Sequence, residues 1–452
     1  QLTTQTYQAV RARLFADCSG DAILAPLTGA AFRMGREARE EYGESLAPEK
    51  ADRRTMGMTC LFQARPHDVP QPFEPPPWAY RFDSPDDLPG GGRGCGWFRG
   101  GYGWIELGGE QDAIQDTEAI RDELLRIVHG VWDFIKNRSE HAAAAENWAL
   151  DWVQFLPGKR ESRRYVGAHV LTQNDIEAEG RFDDIVAYGG WTMDDHNPAG
   201  FWAARLNEPA TIFHEAPSPY GIPYRCLYHT DVSNLMFAGR CHSASNMAMS
   251  STRVMGTCAA MGQAVGTAAA MACAAGLEPA GMLDRMGELQ QALLRDDVYL
   301  PWVPRKLSDL NRGARLTTDQ GDPEPVRDGV GRQVGDASHA WVHVPGDRAT
   351  YEFDAPRRVA EVTLLLDTAL ERELAMSHHL APRHPFATPD VTPLSFRIEG
   401  RAGGEWCPLA NVGENHQRLV RVPVDRELSA VRYTLARTHG ADRTRLYGFY
   451  LD

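Results

Sequence analysis

The sequence of 452 residues has no excess of positive charge: Lys and Arg number 47 against 61 Asp and Glu, which gives a formal net charge of −14. Nucleic acids and anionic membrane surfaces both favour a basic protein face, so neither is expected as a partner. The charges are spread along the chain, which argues against disorder. The length predicts two to four domains with sizeable cores.

Paired cysteine motifs are missing as well. The eight cysteines are scattered and form no Cys-x-x-Cys pair, so neither a zinc ribbon nor a dithiol redox centre is expected. A disulfide scaffold is uncommon at this length, and free thiols favour a reducing compartment such as the cytoplasm. No signal peptide pattern is visible. The compartment itself stays open.

Histidine motifs typical of metal hydrolases are also absent. The sequence contains no His-Glu-x-x-His spacing. Two histidine-containing groups remain, and both are more typical of solvated loops than of metal sites: Asp194-Asp195-His196, and His378-His379 with His384. We therefore predict no metal site, and a metal hydrolase has little support.

The chain lacks the Gly-x-Gly-x-x-Gly turn that binds the pyrophosphate of a dinucleotide after a first strand. The glycine-rich run 90–96 does not fit this pattern in any register, and Pro89 precedes it. Its composition predicts either a flexible loop or a loop on the substrate side of the protein.

The most informative stretch that is present covers residues 234–276. An apolar run, Leu235–Ala238, is closed by Gly239 and predicts a buried strand. A polar loop follows, and it contains Arg240, Cys241, His242, Ser243, Ser245 and Arg253. From about Thr257 the composition predicts a helix of small residues. This helix contains Gly262 and Gly266. A glycine inside a helix costs about 1 kcal/mol of helix stability relative to alanine, so the two glycines indicate that the helix closely approaches a sheet or a ligand.

That helix has two other interpretations. Small and apolar residues with a Gly-xxx-Gly spacing also occur in membrane spans and in buried helices of large cores. Alanine and glycine are only weakly lipophilic, and Gln263 lies mid-segment, so we expect no membrane span.

Residues 234–276 resemble the C-terminal flavin-contacting signature of the bacterial FAD-dependent oxidoreductases in the glutathione-reductase-like superfamily. The matching residues are Asn234-Leu235, Ala238-Gly239-Arg240, Arg253 and Ala260–Gly266. Asp17–Asp21 stands where this family has a second motif, Ala-Thr-Gly-Asp, after a strand of its dinucleotide-binding domain. The resemblance implies FAD as cofactor. The residues that it assigns to FAD binding are Asp17, Ser19, Gly20, Asp21, Gly239, Arg240, Gly262, Gln263 and Gly266.

In the resembling family, the pyrophosphate-binding turn lies near the start of the protein. The resemblance therefore implies that an N-terminal part of the FAD-binding domain is missing from this sequence. Two outcomes are then open for the chain as given: it holds FAD poorly, or it does not hold FAD and is an inactive fragment.

The fold class predicted is α/β: a partial, Rossmann-like FAD-binding domain with an inserted α+β substrate domain and a C-terminal all-β sandwich. The FAD-binding domain would comprise residues 1–36 plus 224–300, and the substrate or cap domain 37–223. Residues 301–328 predict a linker, and 329–452 a sandwich that resembles galactose-binding-like modules.

Several elements are predicted with bounds. The strands and helices expected outside residues 234–276 and the sandwich are strands 7–16, 55–64 and 101–107 and helices 22–29, 116–137 and 281–294. Within 116–137 the apolar residues follow helical spacing and predict a core-facing stripe. In the sandwich, strands are expected at 341–344, 349–353, 359–366, 395–399, 418–424, 431–435 and 446–451, with a hairpin turn at 400–404.

A basic cluster, Pro157–Arg164, is typical of a solvated turn or of an anion clamp. It resembles a run of the same family, and so does Ile222–Arg225, which in that family crosses between domains near the flavin. The resemblance implies these substrate-side residues: Arg160, Arg163, Arg164, Tyr224 and Arg225.

The function predicted is hydride transfer from an alcohol-type substrate, such as a carbohydrate, to FAD. Such a reaction needs a base for the hydroxyl proton, or a cation that stabilises the developing alkoxide. His242 is the base that the polar loop offers, and Arg253 is its electrostatic partner. The alternative is a non-catalytic glycan-binding or scaffold protein built on a truncated flavoprotein fold. The oligomeric state is left open.

Overall fold

The computed structural model describes residues 5–6, 8–92, 94–372 and 387–452. They form two compact units, the first ending at Leu289 and the second beginning at Gln290. His378-His379 and His384, considered above as metal ligands, lie outside the described residues. Within the described residues, no group of three or more His, Cys, Asp or Glu side chains is arranged to hold a metal ion.

The first unit combines short strands with helices of very different length. Its strands are β1 (Phe15–Asp17), β2 (Phe32–Arg33), β3 (Met58–Thr59), β4 (Phe62–Pro66), β5 (Glu106–Leu107), β6 (Trp148–Val153), β7 (Gly158–Lys159), β8 (Arg164–Tyr165), β9 (Ile185–Gly189), β10 (Met193–His196), β11 (Thr211–His214), β12 (Tyr220–Pro223) and β13 (Leu235–Phe237). The α-helices along the chain are α1 (Ala25–Thr28), α2 (Arg39–Tyr42), α3 (Thr117–Asn137), α4 (Gln173–Glu177), α5 (Asn246–Thr252), α6 (Met255–Ala275), α7 (Met286–Arg295) and α8 (Asp309–Gly313).

Strand β1 pairs in parallel with β13, which brings two segments of the first unit together that are far apart in the sequence. Phe15 lies opposite Leu235 and Asp17 opposite Phe237. Because parallel strands end at the same edge, the loop after Asp17 and the loop after Phe237 lie side by side. The buried strand predicted at 235–238 is confirmed. The strand predicted over 7–16 is wrong for most of its length, because residues 8–13 are exposed and pair with no strand.

Helix α3 organises one hydrophobic core of the first unit. Its predicted apolar stripe is confirmed, since all of these residues are buried: Ile120, Leu124, Ile127, Val128, Val131, Phe134 and Ile135. The stripe packs in a cluster that also contains Ile105 and Leu107, which flank Glu106 on β5. The core therefore fixes the strand from which the Glu106 side chain projects.

Helices α5 and α6 are separated only by Arg253 and Val254. The Ser245 hydroxyl caps α5 by accepting a hydrogen bond from the Ala248 amide at 3.1 Å, and α6 then runs for 21 residues. The helix predicted from about Thr257 is confirmed. It is long and apolar enough to cross a membrane by those two criteria, which one buried helix of a globular protein also satisfies. A single such helix is weak evidence for a span.

The second unit is an antiparallel β structure. Its strands are β14 (Arg315–Thr318), β15 (Trp341–His343), β16 (Arg348–Leu366), β17 (Pro393–Ala402), β18 (Glu405–Val412), β19 (Leu419–Thr438) and β20 (Thr444–Leu451). They form one seven-stranded sheet in the order β15-β20-β16-β19-β17-β18, with β14 on β16. The predicted strands are present, and the expected hairpin turn joins β17 to β18. Residues 301–328, predicted as a linker, contain α8 and β14.

Candidate active site

The loop after β1 is held by Asp17. This buried carboxylate accepts hydrogen bonds from the Ser19 amide at 2.9 Å, the Leu24 amide at 3.0 Å and the Tyr165 hydroxyl at 2.6 Å. Burial opposes ionisation, but the hydrogen bonds from Ser19 and Tyr165 lower the pKa of Asp17 below its usual range. The Ser19 hydroxyl accepts from the Asp21 amide at 3.3 Å. Asp17 and Ser19 thus fix the shape of the loop.

Asp21 connects this loop to its surroundings. Its carboxylate accepts from Lys159 Nζ at 2.9 Å, from the Ser162 hydroxyl at 2.7 Å and from Arg240 Nη2 at 3.3 Å. The other terminal nitrogen of Arg240, Nη1, is buried and has no partner among the described residues. A Cβ atom on Gly20, whose φ is +75°, would lie 2.7 Å from Arg240 Nη2. Only glycine lets the two loops approach so closely.

Helix α6 shows an open face of small residues beside these loops. A Cβ atom added to Gly262 or Gly266 would meet nothing within 4 Å, and the same holds for Gly239 and for Gly256 in the first turn. Gln263 is exposed on the same helix. The first turn has no side-chain cap, so its amide groups stay available as donors.

Arg253, between α5 and α6, points to a second cluster. Its Nη2 donates to His196 Nε2 at 2.8 Å, while its Nε is buried and has no partner in the described part of the chain. Burial and the charge of Arg160 lower the pKa of Arg253 to about 10. The charges of Asp194, Glu106 and Glu161 favour the guanidinium but do not outweigh its burial.

His196 joins Arg253 to a buried carboxylate. Its Nδ1 lies 2.8 Å from Glu106 Oε2. Because arginine can only donate, Nε2 must be the acceptor, and a neutral His196 carries its proton on Nδ1, towards Glu106. Burial alone would raise the pKa of Glu106, but the charge of Arg160 and the hydrogen bond from His196 hold it below its usual range. The second oxygen, Oε1, is buried without a partner in the described residues.

A cavity of about 1150 Å³ opens over Glu106, Arg160 and His196. Arg160 is held at its edge by the Thr59 hydroxyl at 2.5 Å and the Gly103 carbonyl at 2.9 Å. The rest of the wall comes from the glycine-rich segment between residues 86 and 104 and from the segment 204–213, which includes the start of β11. The glycine-rich run predicted to lie on the substrate side thus lines the cavity.

The other predicted substrate residues lie away from this cavity. Arg163 Nε donates to the Asp21 carbonyl at 2.9 Å, and the fully buried Arg164 binds Glu37 and Glu161. The Tyr224 hydroxyl donates to the Pro279 carbonyl, and Arg225 pairs with Asp184. Of the five residues, Arg160 alone lines the cavity.

His242, the base predicted from the sequence, is fully buried. Its Nδ1 lies 2.9 Å from the Gly239 carbonyl, and its Nε2 lies 3.1 Å from the Thr252 hydroxyl. Burial lowers the pKa of His242 to about 4 although the Gly239 carbonyl favours the charged form. Both ring nitrogens are engaged, and the ring does not line the cavity. Its catalytic role stays a prediction.

The low pKa of His242 predicts stability that is lost in acid. In the unfolded chain His242 has its ordinary pKa of 6.5, whereas in the folded protein its pKa is about 4. This contribution is complete above pH 6.5 and falls as the pH drops towards 4, by about 2 kcal/mol at pH 5. Urea unfolding at pH 7 and 5 should therefore show a smaller pH effect in His242→Asn than in wild type. The same pH effect in both proteins would contradict this, and His169→Asn, at a half-buried ion pair, serves as control.

Sequence reasoning missed Glu106 and did not assign a function to His196. The available signal was a carboxylate inside the apolar run Trp104–Leu107, since a charged residue in a buried strand is uncommon unless it is paired. Its partner follows 90 residues later, and no local pattern connects the two.

Comparison with known proteins gives one family match. A family model described as FAD dependent oxidoreductase matches residues 1–293. No curated protein sequence is detectably similar to the chain.

Similar solved structures are carbohydrate-binding modules. One is a family 32 module of NanJ from C. perfringens in complex with galactose, with 10% identity, 31% of this chain and 95% of that chain covered and a TM-score of 0.23. Another is the family 32 module of EndoD from Streptococcus pneumoniae, with 15% identity, 31% and 95% coverage and a TM-score of 0.22. A third is a GH31 CBM32-2 module bound to GalNAc, with 12% identity, 30% and 97% coverage and a TM-score of 0.24. At these scores the likenesses support no statement about ligands.

The matched family is FAD dependent, and residues of the first unit fit part of such a cofactor. The unpartnered Nη1 of Arg240 offers a donor, and the uncapped first turn of α6 offers amide groups and a positive dipole end. Open space at Gly239, Gly256 and Gly262 leaves room for the group against the backbone. These are the residues that would hold FAD, with Gln263 and Gly266 further along the helix.

Proposed function

The chain belongs to the family of FAD dependent oxidoreductases, and from this premise we propose that it oxidises an alcohol-type substrate, such as a carbohydrate, in the cavity at Glu106, Arg160 and His196. When bound, FAD accepts the hydride that leaves the substrate carbon. The observation that carries the proposal is the hydrogen-bonded chain from Glu106 through His196 to Arg253. It connects the cavity to the residues that precede α6.

His196 is the base in this proposal. With its proton on Nδ1, it can take a second proton at Nε2 when a substrate hydroxyl replaces Arg253 as the donor there. Glu106 then faces the resulting imidazolium at 2.8 Å and stabilises its charge. The hydroxyl proton thus moves to Nε2 as the carbon–hydrogen bond breaks.

Arg253 and Arg160 stabilise the negative charge that develops on the substrate oxygen in this proposal. When a substrate hydroxyl replaces it at Nε2, Arg253 lies beside the substrate oxygen, and its buried Nε, which has no partner among the described residues, is a further donor. Arg160 lies 3.2 Å from Glu106 Oε2 and lines the cavity. Charges in a largely buried site act more strongly than in water. His242, by contrast, orders the loop between Gly239 and Thr252 in this proposal.

The proposal is tested with the FAD-loaded protein mixed without oxygen with sugars, polyols, simple alcohols, amines and the corresponding deoxy compounds. We expect at least one hydroxyl compound to bleach the oxidised flavin absorption, and its deoxy analogue to leave it unchanged. Bleaching by amines alone would show that the substrate is an amine and not an alcohol. Bleaching by no compound would favour the alternative, a non-catalytic glycan-binding protein, which glycan-binding calorimetry would then examine.

A further inference from the structure

The cavity is larger than a single sugar needs. Sites that enclose a drug-sized ligand measure roughly 300–1,000 Å³, and this cavity measures about 1150 Å³. A pyranose ring is smaller than such a ligand. One ring at His196 would leave most of the cavity to other groups of the same substrate.

Two aromatic side chains of the cavity are exposed to solvent. Trp97 is 47% exposed and Phe213 is 64% exposed, and both line the cavity. Exposed aromatic faces are costly to keep in water and are suited to cover flat apolar surfaces of a ligand, such as the C–H face of a sugar ring. On β11 the neighbouring Ile212 is 45% exposed but does not line the cavity, because successive side chains of a strand point to opposite sides.

The glycine-rich wall leaves the cavity wide. Gly91 has φ +66° and Gly94 has φ +84°, and a Cβ atom at either position would meet nothing within 4 Å. This part of the wall presents backbone groups, which can hydrogen-bond to hydroxyls along an extended ligand.

The charges of the lining select against anions. Among the described residues that line the cavity, Asp86, Glu106 and Glu208 carry carboxylates and Arg160 carries a guanidinium. Carboxylates accept hydrogen bonds from hydroxyl groups but repel phosphate and carboxylate groups. The lining therefore suits a neutral, polyhydroxylated ligand.

Resting on the proposed function, we propose that the cavity binds a neutral saccharide of at least two sugar units. The unit that is oxidised lies at His196, and the following units lie against Trp97 and Phe213.

The test uses the FAD-loaded protein and the neutral gluco-, galacto- and manno-series of one to three sugar units, each with its uronic acid counterpart. Flavin reduction reports the reaction, and calorimetry reports binding without turnover. For the series that reduces the flavin, we expect kcat/KM and affinity to rise about tenfold or more from one unit to three. In Trp97→Ala and in Phe213→Ala, the ratio of kcat/KM for three units to kcat/KM for one unit should fall at least about fivefold.

Matched controls are Trp78→Ala and Ile212→Ala, since Trp78 is as exposed as Trp97 and neither control residue lines the cavity. Both should keep the dependence on chain length. Equal values for one and three units, or a preference for the uronic acids, would overturn the inference while the proposed function stands. No flavin reduction by any series would exclude these sugars as the oxidised group, and the proposed function would then be decided by the polyols and simple alcohols tested above. Lack of length-dependent binding in the same series would overturn the inference.

Discussion

Replacing Arg164 by methionine is expected to lower the free energy of unfolding of the first unit by about 3–5 kcal/mol. The guanidinium is completely buried and donates to Glu37 Oε1 at 2.7 Å, to Glu161 and to the carbonyls of Gly35 and Ala244. Methionine fills a similar volume but leaves two carboxylates in the interior without a counter-charge. Removing one partner of a buried ion pair costs far more than the pair contributes when intact.

Chemical unfolding followed by circular dichroism measures the loss. The control is Arg65→Met, because the Arg65 side chain is 65% exposed and its partner Asp151 is 38% exposed. Exposed pairs of this kind contribute at most about 1 kcal/mol. Equal losses in the two variants would show that the buried network around Arg164 contributes no more than a surface ion pair.

The second large effect concerns catalysis. His196→Gln should lower the rate of flavin reduction by substrate about 10²–10⁴-fold, since a glutamine side chain cannot accept the hydroxyl proton. Glu106→Gln keeps an acceptor near Nδ1 but removes the charge that stabilises the imidazolium. It should slow the same step and change its pH profile, whereas a merely structural role would leave that profile as in wild type.

Single-turnover reduction of the bound flavin measures this step directly. His169→Gln is the control, because His169 pairs with Asp175 at 3.0 Å and does not line the cavity. It should reduce at the wild-type rate. If His196→Gln also does, His196 is not the base. A loss in His242→Asn alone would return that role to the polar loop.

The sequence was most informative where one local pattern carries the structure. The small-residue helix, the strand before Gly239 and the stripe of α3 all follow from periodicity and composition, and each is confirmed. The family resemblance was carried by residues 234–276, and the family match confirms it together with FAD dependence. These features depend on neighbours within one or two helical turns, which a single sequence displays.

The cavity depends on contacts that no local pattern displays. Glu106 and His196 lie 90 residues apart, on strands of two and four residues whose pairing is set by the surrounding core. Arg164 illustrates the same limit, because its position in a basic run indicated a ligand clamp, while the fold buries it against Glu37 and Glu161. The same run of basic residues can bind a ligand at the surface or pair with carboxylates in the interior, and tertiary packing decides between the two.

The contacts at Asp21 also determine how this protein can be recombined with its relatives. Three successive features of the segment 159–163 hold the Asp21 loop: the Lys159 ammonium, the Ser162 hydroxyl and the Arg163 guanidinium. A chimera that exchanges residues 37–223 as one cassette would separate these groups from the loop with which they fit. Crossover points that keep residues 158–165 from this protein would preserve these contacts. The rest of the exchanged segment could then be replaced without disturbing the Asp21 loop beside Arg240.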